Sequence, residues 1–146
     1  MGKNTVLRSG CYIRGPVIIG NDCDIGPNVC ILPSTSVGNN VNIDSAVRLK
    51  NCLIGNGVTI GANSDLESSV IDNDCHIKGH LYSPADMADL KIEGTLHNVN
   101  TGSMIGESCY INFGVSILPG TLIGSNCKIN AMKVVSGWIQ NDSRVI

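Results

Sequence analysis

The sequence predicts an all-β fold, a parallel β-helix of hexapeptide repeats about six coils long with one inserted excursion. Three observations point there. From Ile13, aliphatic residues recur at every sixth position, at Ile19, Ile25, Ile31, Val37 and Ile43, and the count resumes at Ile105, Ile111, Ile117, Ile123, Ile129 and Val135. The residue four after each is small or β-branched, as at Val17, Cys23, Val29, Thr35, Cys109, Val115, Thr121 and Cys127. Aromatic residues make only 3% of the 146-residue chain, against 17 glycines, so the interior must be narrow and filled by branched aliphatics rather than rings.

A period of six fits neither a helix nor simple strand alternation. It fits a solenoid in which each hexapeptide makes one short strand and one corner, three hexapeptides make a triangular coil, and coils stack about 4.8 Å apart. The first coils span residues 4–81, an inserted loop 82–103, the last coils 104–141 and a tail 142–146. Corner residues must tolerate left-handed φ, and the pairs Gly20-Asn21, Gly38-Asn39, Gly55-Asn56 and Asn73-Asp74 supply candidates. In the middle, the inward positions run Ile43, Leu49, Ile54, Ile60, Leu66, Ile71 and Ile77. A five-residue step recurs at every third strand, which predicts coils of 17 residues with one tight corner.

The repeat stops after Ile77 and resumes at Ile105. In repeat folds insertions map to the binding face. Ser83-Pro84-Ala85-Asp86 has the pattern of a helix start and predicts a single turn to about Asp89. Leu90, Ile92 and Leu96 alternate around Glu93-Gly94, which predicts a small hairpin. His80 stands at the mouth of the excursion and faces outward, so it is a candidate general base; an ordinary solvated histidine is the alternative. His76 and His97 are weaker candidates.

A net charge of −2 and a pI near 5.8 exclude the basic patch that a nucleic-acid partner needs. No apolar run is long enough for a membrane-spanning helix, and the opening M-G-K-N-T-V-L-R-S-G has no apolar signal core, so the expected location is cytoplasmic. The seven cysteines show no C-x-x-C spacing. Cys11, Cys23, Cys75, Cys109 and Cys127 fall at or near inward slots and read as small core residues, whereas Cys30 and Cys52 fall off the pattern. No metal site is expected. The open ends and flat, weakly charged sides of such a prism favour self-association, for which a homotrimer is a natural closed form. The C-terminal W-I-Q-N-D-S-R-V-I is expected to cap one end, with Trp138 over the last coil.

The run Val6–Gly38, with R-S-G-C-Y-I-R-G-P-V-I-I-G, and the later I-N-F-G-V-S-I-L-P-G-T-L-I-G resemble the C-terminal β-helix of sugar-1-phosphate nucleotidylyltransferases. The closer similarity is to the bifunctional type that joins nucleotidyl transfer to an amino-sugar-1-phosphate acetyltransferase. The resemblance implies a left-handed helix and a nucleotidyltransferase domain preceding it, which this chain does not contain. It implies acetyl-CoA as co-substrate and a sugar phosphate as acceptor. It carries the catalytic base onto His80, within His80-Leu81-Tyr82, where the family has His-Leu-Ser/Thr-Tyr. Tyr82, Asn98 and Asn100 become substrate-side candidates, and Ser103, Gly106, Asn112 and Gly114 become candidates along the CoA path. The basic tract that the family has before the resumed repeat reads N-T-G-S-M here. A non-catalytic module that trimerises and regulates an attached sugar-1-phosphate nucleotidylyltransferase is the second reading.

Overall fold

Alternation along a short strand puts the aliphatic of each hexapeptide inside and its two neighbours outside, and the corner then turns the chain onto the next face. The computed structural model describes residues 1–146, apart from the side chain of Ile92. Three parallel sheets form the faces of a prism. The first runs from Val6–Leu7 to Arg144–Val145 in eight strands, the second from Tyr12–Ile13 to Val134–Val135 in seven, and the third from Val17–Ile19 to Trp138–Ile139 in seven. That makes seven complete coils and the start of an eighth, against about six expected. The difference lies at the ends. Leu7 already opens the first face, and after Val135 the inward series continues at Ile139 and Val145 by steps of four and six, which a strict count of six passes over.

Register on the first face gives each coil its length. Val6, Asp24 and Asn42 stack at intervals of 18; Asn42, Thr59 and His76 at 17; His76 and Tyr110 at 34; Tyr110 and Lys128 at 18; Lys128 and Arg144 at 16. The 17-residue coils inferred from the five-residue steps are therefore present. The tight corner joins the second face to the third. The coil that carries the excursion is 17 residues plus a further 17.

That excursion is a hairpin. Asp86–Ile92 pairs antiparallel with Thr95–Thr101 about Glu93-Gly94, whose φ values are +50° and +83°. This is the twist that two-residue hairpin turns favour. The helical turn expected from Ser83 to Asp89 does not form. Ser83 closes a strand of the second face, Tyr82–Ser83, with its side chain buried, and the residues after it find a full strand partner. A local capping signal loses to seven rungs of pairing. The hairpin leaves from the corner between the second and third faces and folds back over the same corner of the next coil. A Cβ placed on Gly120 would stand 3.0 Å from the Ala88 Cβ and 3.3 Å from the Leu90 Cδ2. Of the alternating apolar residues expected here, the Ile92 side chain lies outside the described residues.

The interior is a stack of Ile, Leu and Val columns. Among the described residues no buried side-chain polar atom lacks a partner. On the first face, one inward column holds Thr5, Cys23, Cys75, Cys109 and Cys127, and their side chains donate to carbonyls of the neighbouring corner. Thr5 Oγ1 reaches the Gly20 carbonyl at 2.6 Å, Cys23 Sγ that of Gly38 at 3.1 Å, Cys75 Sγ that of Gly106 at 2.9 Å and Cys109 Sγ that of Gly124 at 3.0 Å. Cysteine serves here as a valine-sized residue with a weak donor. Cys52, expected off the pattern, is also buried at 1% exposure. The five-residue step shifts the small slot to two residues before Ile54, where Cys52 stands; burial pushes its thiol up from the ordinary range.

The corner between the third and first faces is held by an asparagine ladder. The side-chain oxygens of Asn21, Asn39, Asn56 and Asn73 accept, each at 2.8 Å, from the backbone N–H of Lys3, Asn21, Asn39 and Asn56. The left-handed residue follows each Gly-Asn pair, at Asp22, Asn40 and Gly57. The glycine of the pair is required by space: at Gly20 an added Cβ would meet the Asn39 side chain and the Gly38 backbone. Trp138 does not cap the last coil. It lies on the outer side of the third face, 77% exposed, in a column with Ile18, Leu53, Val70, Met104 and Leu122. Among the described residues no helix is long and apolar enough to cross a membrane.

Two outcomes follow from these columns. Deleting residues 85–101 leaves Ser83 and Ser103 three positions apart, the spacing of Leu66 and Ser69 one coil below. The shortened chain is expected to keep its β-rich circular dichroism and a single cooperative urea transition. Loss of cooperativity would show that the hairpin is needed to close the coil. In thiol labelling with Ellman's reagent, only the half-buried Cys11 and Cys30 are expected to react promptly in the native state, and all seven cysteines after unfolding. Prompt reaction of any of the five buried thiols would contradict the inward column.

Candidate functional site

His80 occupies the corner between the first and second faces. Its φ is +51°, and it holds the slot that Asn28, Ala46, Asn63, Gly114 and Met132 hold in other coils. Histidine, like asparagine, enters this region more readily than most residues. The backbone N–H of His80 donates to the Ala62 carbonyl at 2.9 Å, which leaves the imidazole outside the prism and exposed. Among the described residues no carboxylate forms an ion pair with it.

One coil further on, the Gly114 N–H donates to the Gly79 carbonyl at 3.2 Å, and Asn112 Oδ1 accepts from the Phe113 N–H at 2.8 Å. The structure therefore brings His80, Asn112 and Gly114 to one corner. Tyr82 follows on the second face, exposed between Asp65 and Ser116. The other expected residues stand elsewhere in this chain. Asn98 and Asn100 are on the hairpin at the next corner, and Asn98 Nδ2 donates to Asp89 Oδ1 at 2.8 Å. Gly106 stands at the third corner, where its carbonyl receives the Cys75 thiol. Ser103 faces inward at 1% exposure, and its hydroxyl lies 2.6 Å from that of Ser83, which is 3.0 Å from that of Ser69. A buried hydroxyl in this trio is closed to a ligand lying along the outside of the coils.

A second cluster was only partly visible in the sequence. On the first face, His76 stacks on Tyr110 with ring centroids 5.4 Å apart and an interplanar angle of 6°. Lys78 Nζ lies 5.9 Å from the Tyr110 centroid and 5.2 Å from that of Phe113. His76 and Tyr110 are 34 residues apart, so finding the pair requires knowing that the excursion leaves the register intact. Among the described residues no group of three or more His, Cys, Asp or Glu side chains is placed to hold a metal ion.

The family described as the GMPPB C-terminal domain matches residues 2–82. The chain is 38% identical over 138 residues to the bifunctional protein GlmU of Pseudoalteromonas atlantica, covering 86% of this chain and 30% of that protein. It is 31% identical over 134 residues to the GlmU of Methanococcus vannielii, covering 87% of this chain and 31% of that protein. The chain thus spans about a third of the length of these relatives. Among solved structures, the N-acyltransferase AntD of Bacillus cereus, in complex with dTDP-4-amino-4,6-dideoxyglucose and coenzyme A, superposes with a TM-score of 0.60 at 20% identity, covering 89% of this chain and 76% of AntD. LpxA of Bacteroides fragilis, a UDP-N-acetylglucosamine acyltransferase, superposes at 0.56 with 15% identity, covering 94% of this chain and 67% of LpxA. These likenesses establish the left-handed β-helix, and the match over residues 2–82 places the chain in the family of GMPPB C-terminal domains.

Proposed function

We propose that this chain is the acyltransferase-type β-helix module of a sugar-1-phosphate nucleotidylyltransferase, located in the cytoplasm, and that it transfers an acetyl group from acetyl-CoA to the amino group of an amino-sugar-1-phosphate. The observation that carries the reading is an exposed imidazole, His80, at a rigid corner beside Asn112 and Gly114. The similarity to GlmU proteins over most of the chain supports it. His80 accepts the proton that the sugar amine loses as its nitrogen attacks the thioester carbonyl. The C–N bond forms, the C–S bond breaks, and the thiolate leaves to be protonated as CoA. The Asn112–Gly114 turn beside His80 lies on the outside of the coils, where CoA would lie, and Tyr82 is on the acceptor side.

Within one chain Asn98 and Asn100 are a corner away from His80. A homotrimer, in which the hairpin of one copy reaches the His80 corner of the next, would bring them in. The uncharged outer column of the third face favours such side-by-side packing. The second reading, a non-catalytic trimerising and regulatory module, is favoured by one specific feature. His80 fills, at left-handed φ, a slot that Asn28 and Asn63 fill at the same φ in other coils.

Incubation with acetyl-CoA and glucosamine 1-phosphate, followed by free-thiol release, separates the two. Turnover is expected to fall by about 100-fold or more in His80→Ala, the usual scale for loss of a general base. Turnover unchanged by His80→Ala removes His80 from the mechanism. No turnover in the parent, with a stable trimer by light scattering, selects the second reading.

A further inference from the structure

The hairpin at the corner between the second and third faces has an inner and an outer strand. On the inner strand, Asp86–Ile92, Ala88 and Leu90 lie against Gly120 of the prism. The outer strand, Thr95–Thr101, is exposed at five of its seven residues and, among the described residues, pairs only with the inner one. The two strands differ in charge. The inner strand carries Asp86, Asp89 and Lys91, and the turn adds Glu93. The outer strand, T-L-H-N-V-N-T, has no Asp, Glu, Lys, Arg or Pro. Charges and prolines are what guard a strand edge against pairing with another chain, and this edge has none.

The turn fixes which backbone groups the free edge presents. A two-residue turn is closed by a hydrogen-bonded pair, here Ile92 and Thr95, and bonded and non-bonded pairs then alternate along the hairpin. Leu90–His97, Ala88–Val99 and Asp86–Thr101 are therefore bonded pairs, whereas Lys91–Leu96, Asp89–Asn98 and Met87–Asn100 are not. Leu96, Asn98 and Asn100 accordingly turn both N–H and C=O away from the inner strand, onto the free edge. Such a row matches its own copy. In an antiparallel pair of outer strands with a two-fold axis at Asn98, Leu96 of one copy bonds Asn100 of the other, and Asn98 bonds Asn98. Every edge group is then satisfied. An axis at His97 or at Val99 leaves one of the three residues unmatched. The opposed side chains are Thr95 with Thr101, Leu96 with Asn100 and His97 with Val99, so no like charges face each other.

We propose that the outer strand of the hairpin is a self-association edge, on which two copies of the chain pair Thr95–Thr101 antiparallel about Asn98 into one four-stranded sheet. A second copy is the occupant because the row is complementary to itself, in bonding pattern and in charge. The pairing is made by backbone groups, so the side chains of Leu96, Asn98 and Asn100 keep their outer face. It is separate from side-by-side packing through the third face and joins two chains whether or not that packing occurs.

Light scattering on the intact chain, over concentrations up to about 1 mM, reads the contact. The parent is expected to reach about twice the mass of Asn98→Lys, which sets two like charges opposite each other at the axis. Thiol cross-linking tests the register, in a Cys11→Ser/Cys30→Ser background that leaves only buried native thiols. Asn98→Cys places the two Cα atoms about 5.5 Å apart, inside the range of about 4.4–6.8 Å that a disulfide spans. Asn100→Cys places them about 14 Å apart, because the two positions are offset by four residues along the strands. With diamide as oxidant, Asn98→Cys is expected to run as a dimer in non-reducing electrophoresis and Asn100→Cys as a monomer. An equal mixture of Leu96→Cys and Asn100→Cys should restore the dimer. Leu96, Asn98 and Asn100 are exposed, so unchanged circular dichroism shows that each variant keeps the fold. Equal mass for the parent and Asn98→Lys at every concentration overturns the proposal, and so does cross-linking of Asn100→Cys as complete as that of Asn98→Cys.

Discussion

The parallel ladder between consecutive coils is the constraint on which everything else in this molecule depends. Backbone N–H groups donate to carbonyls of the adjacent coils, forward as from Val6 to Cys23 at 2.9 Å and, at the corners, back as from Asp22 to Lys3 at 2.9 Å. That fixes the rise and places every residue directly over its counterpart one repeat later. Side chains therefore have no choice of neighbour in sequence. They have neighbours in columns, and a column must be internally compatible: aliphatic on aliphatic inside, asparagine on asparagine at the corner, ring on ring where His76 meets Tyr110.

The same constraint governs how the chain can be interrupted. An insertion is tolerated only where the chain can leave and return without shifting the columns. The hairpin Asp86–Thr101 does this at a corner, and on return Gly102 donates to the Ser68 carbonyl, as Ser68 donates to that of Lys50 one coil below. The polar trio of Ser69, Ser83 and Ser103 beneath that point fills the interior with hydroxyls that satisfy one another. A hydroxyl cluster at the root of an insertion tolerates a corner whose backbone must open, because serine can turn to whichever acceptor is in reach.

Much of this was legible in the sequence because period is a one-dimensional signal. The inward aliphatics, the 17-residue coils and the Glu93-Gly94 turn could all be read from spacing and turn chemistry. What could not be read has a common physical cause. Cys52 was misplaced because a tight corner moves the small slot relative to the preceding aliphatic. The apparent helix start at Ser83-Pro84 was overruled by pairing with a strand twelve or more residues away. Trp138 resembles a cap in sequence because the exposed side of a strand and a lid carry the same signal. Of the candidate residues, His80, Asn112 and Gly114 converge, whereas Asn98, Asn100 and Gly106 are distributed over other corners and Ser103 lies inside; spacing gives the corner number only when the coil lengths are known.

The columns also decide how the array gives way. A coil in the middle is stabilised through two interfaces, so the strands around Ile60 and Ile77, each paired on both sides, lose order together with their neighbours.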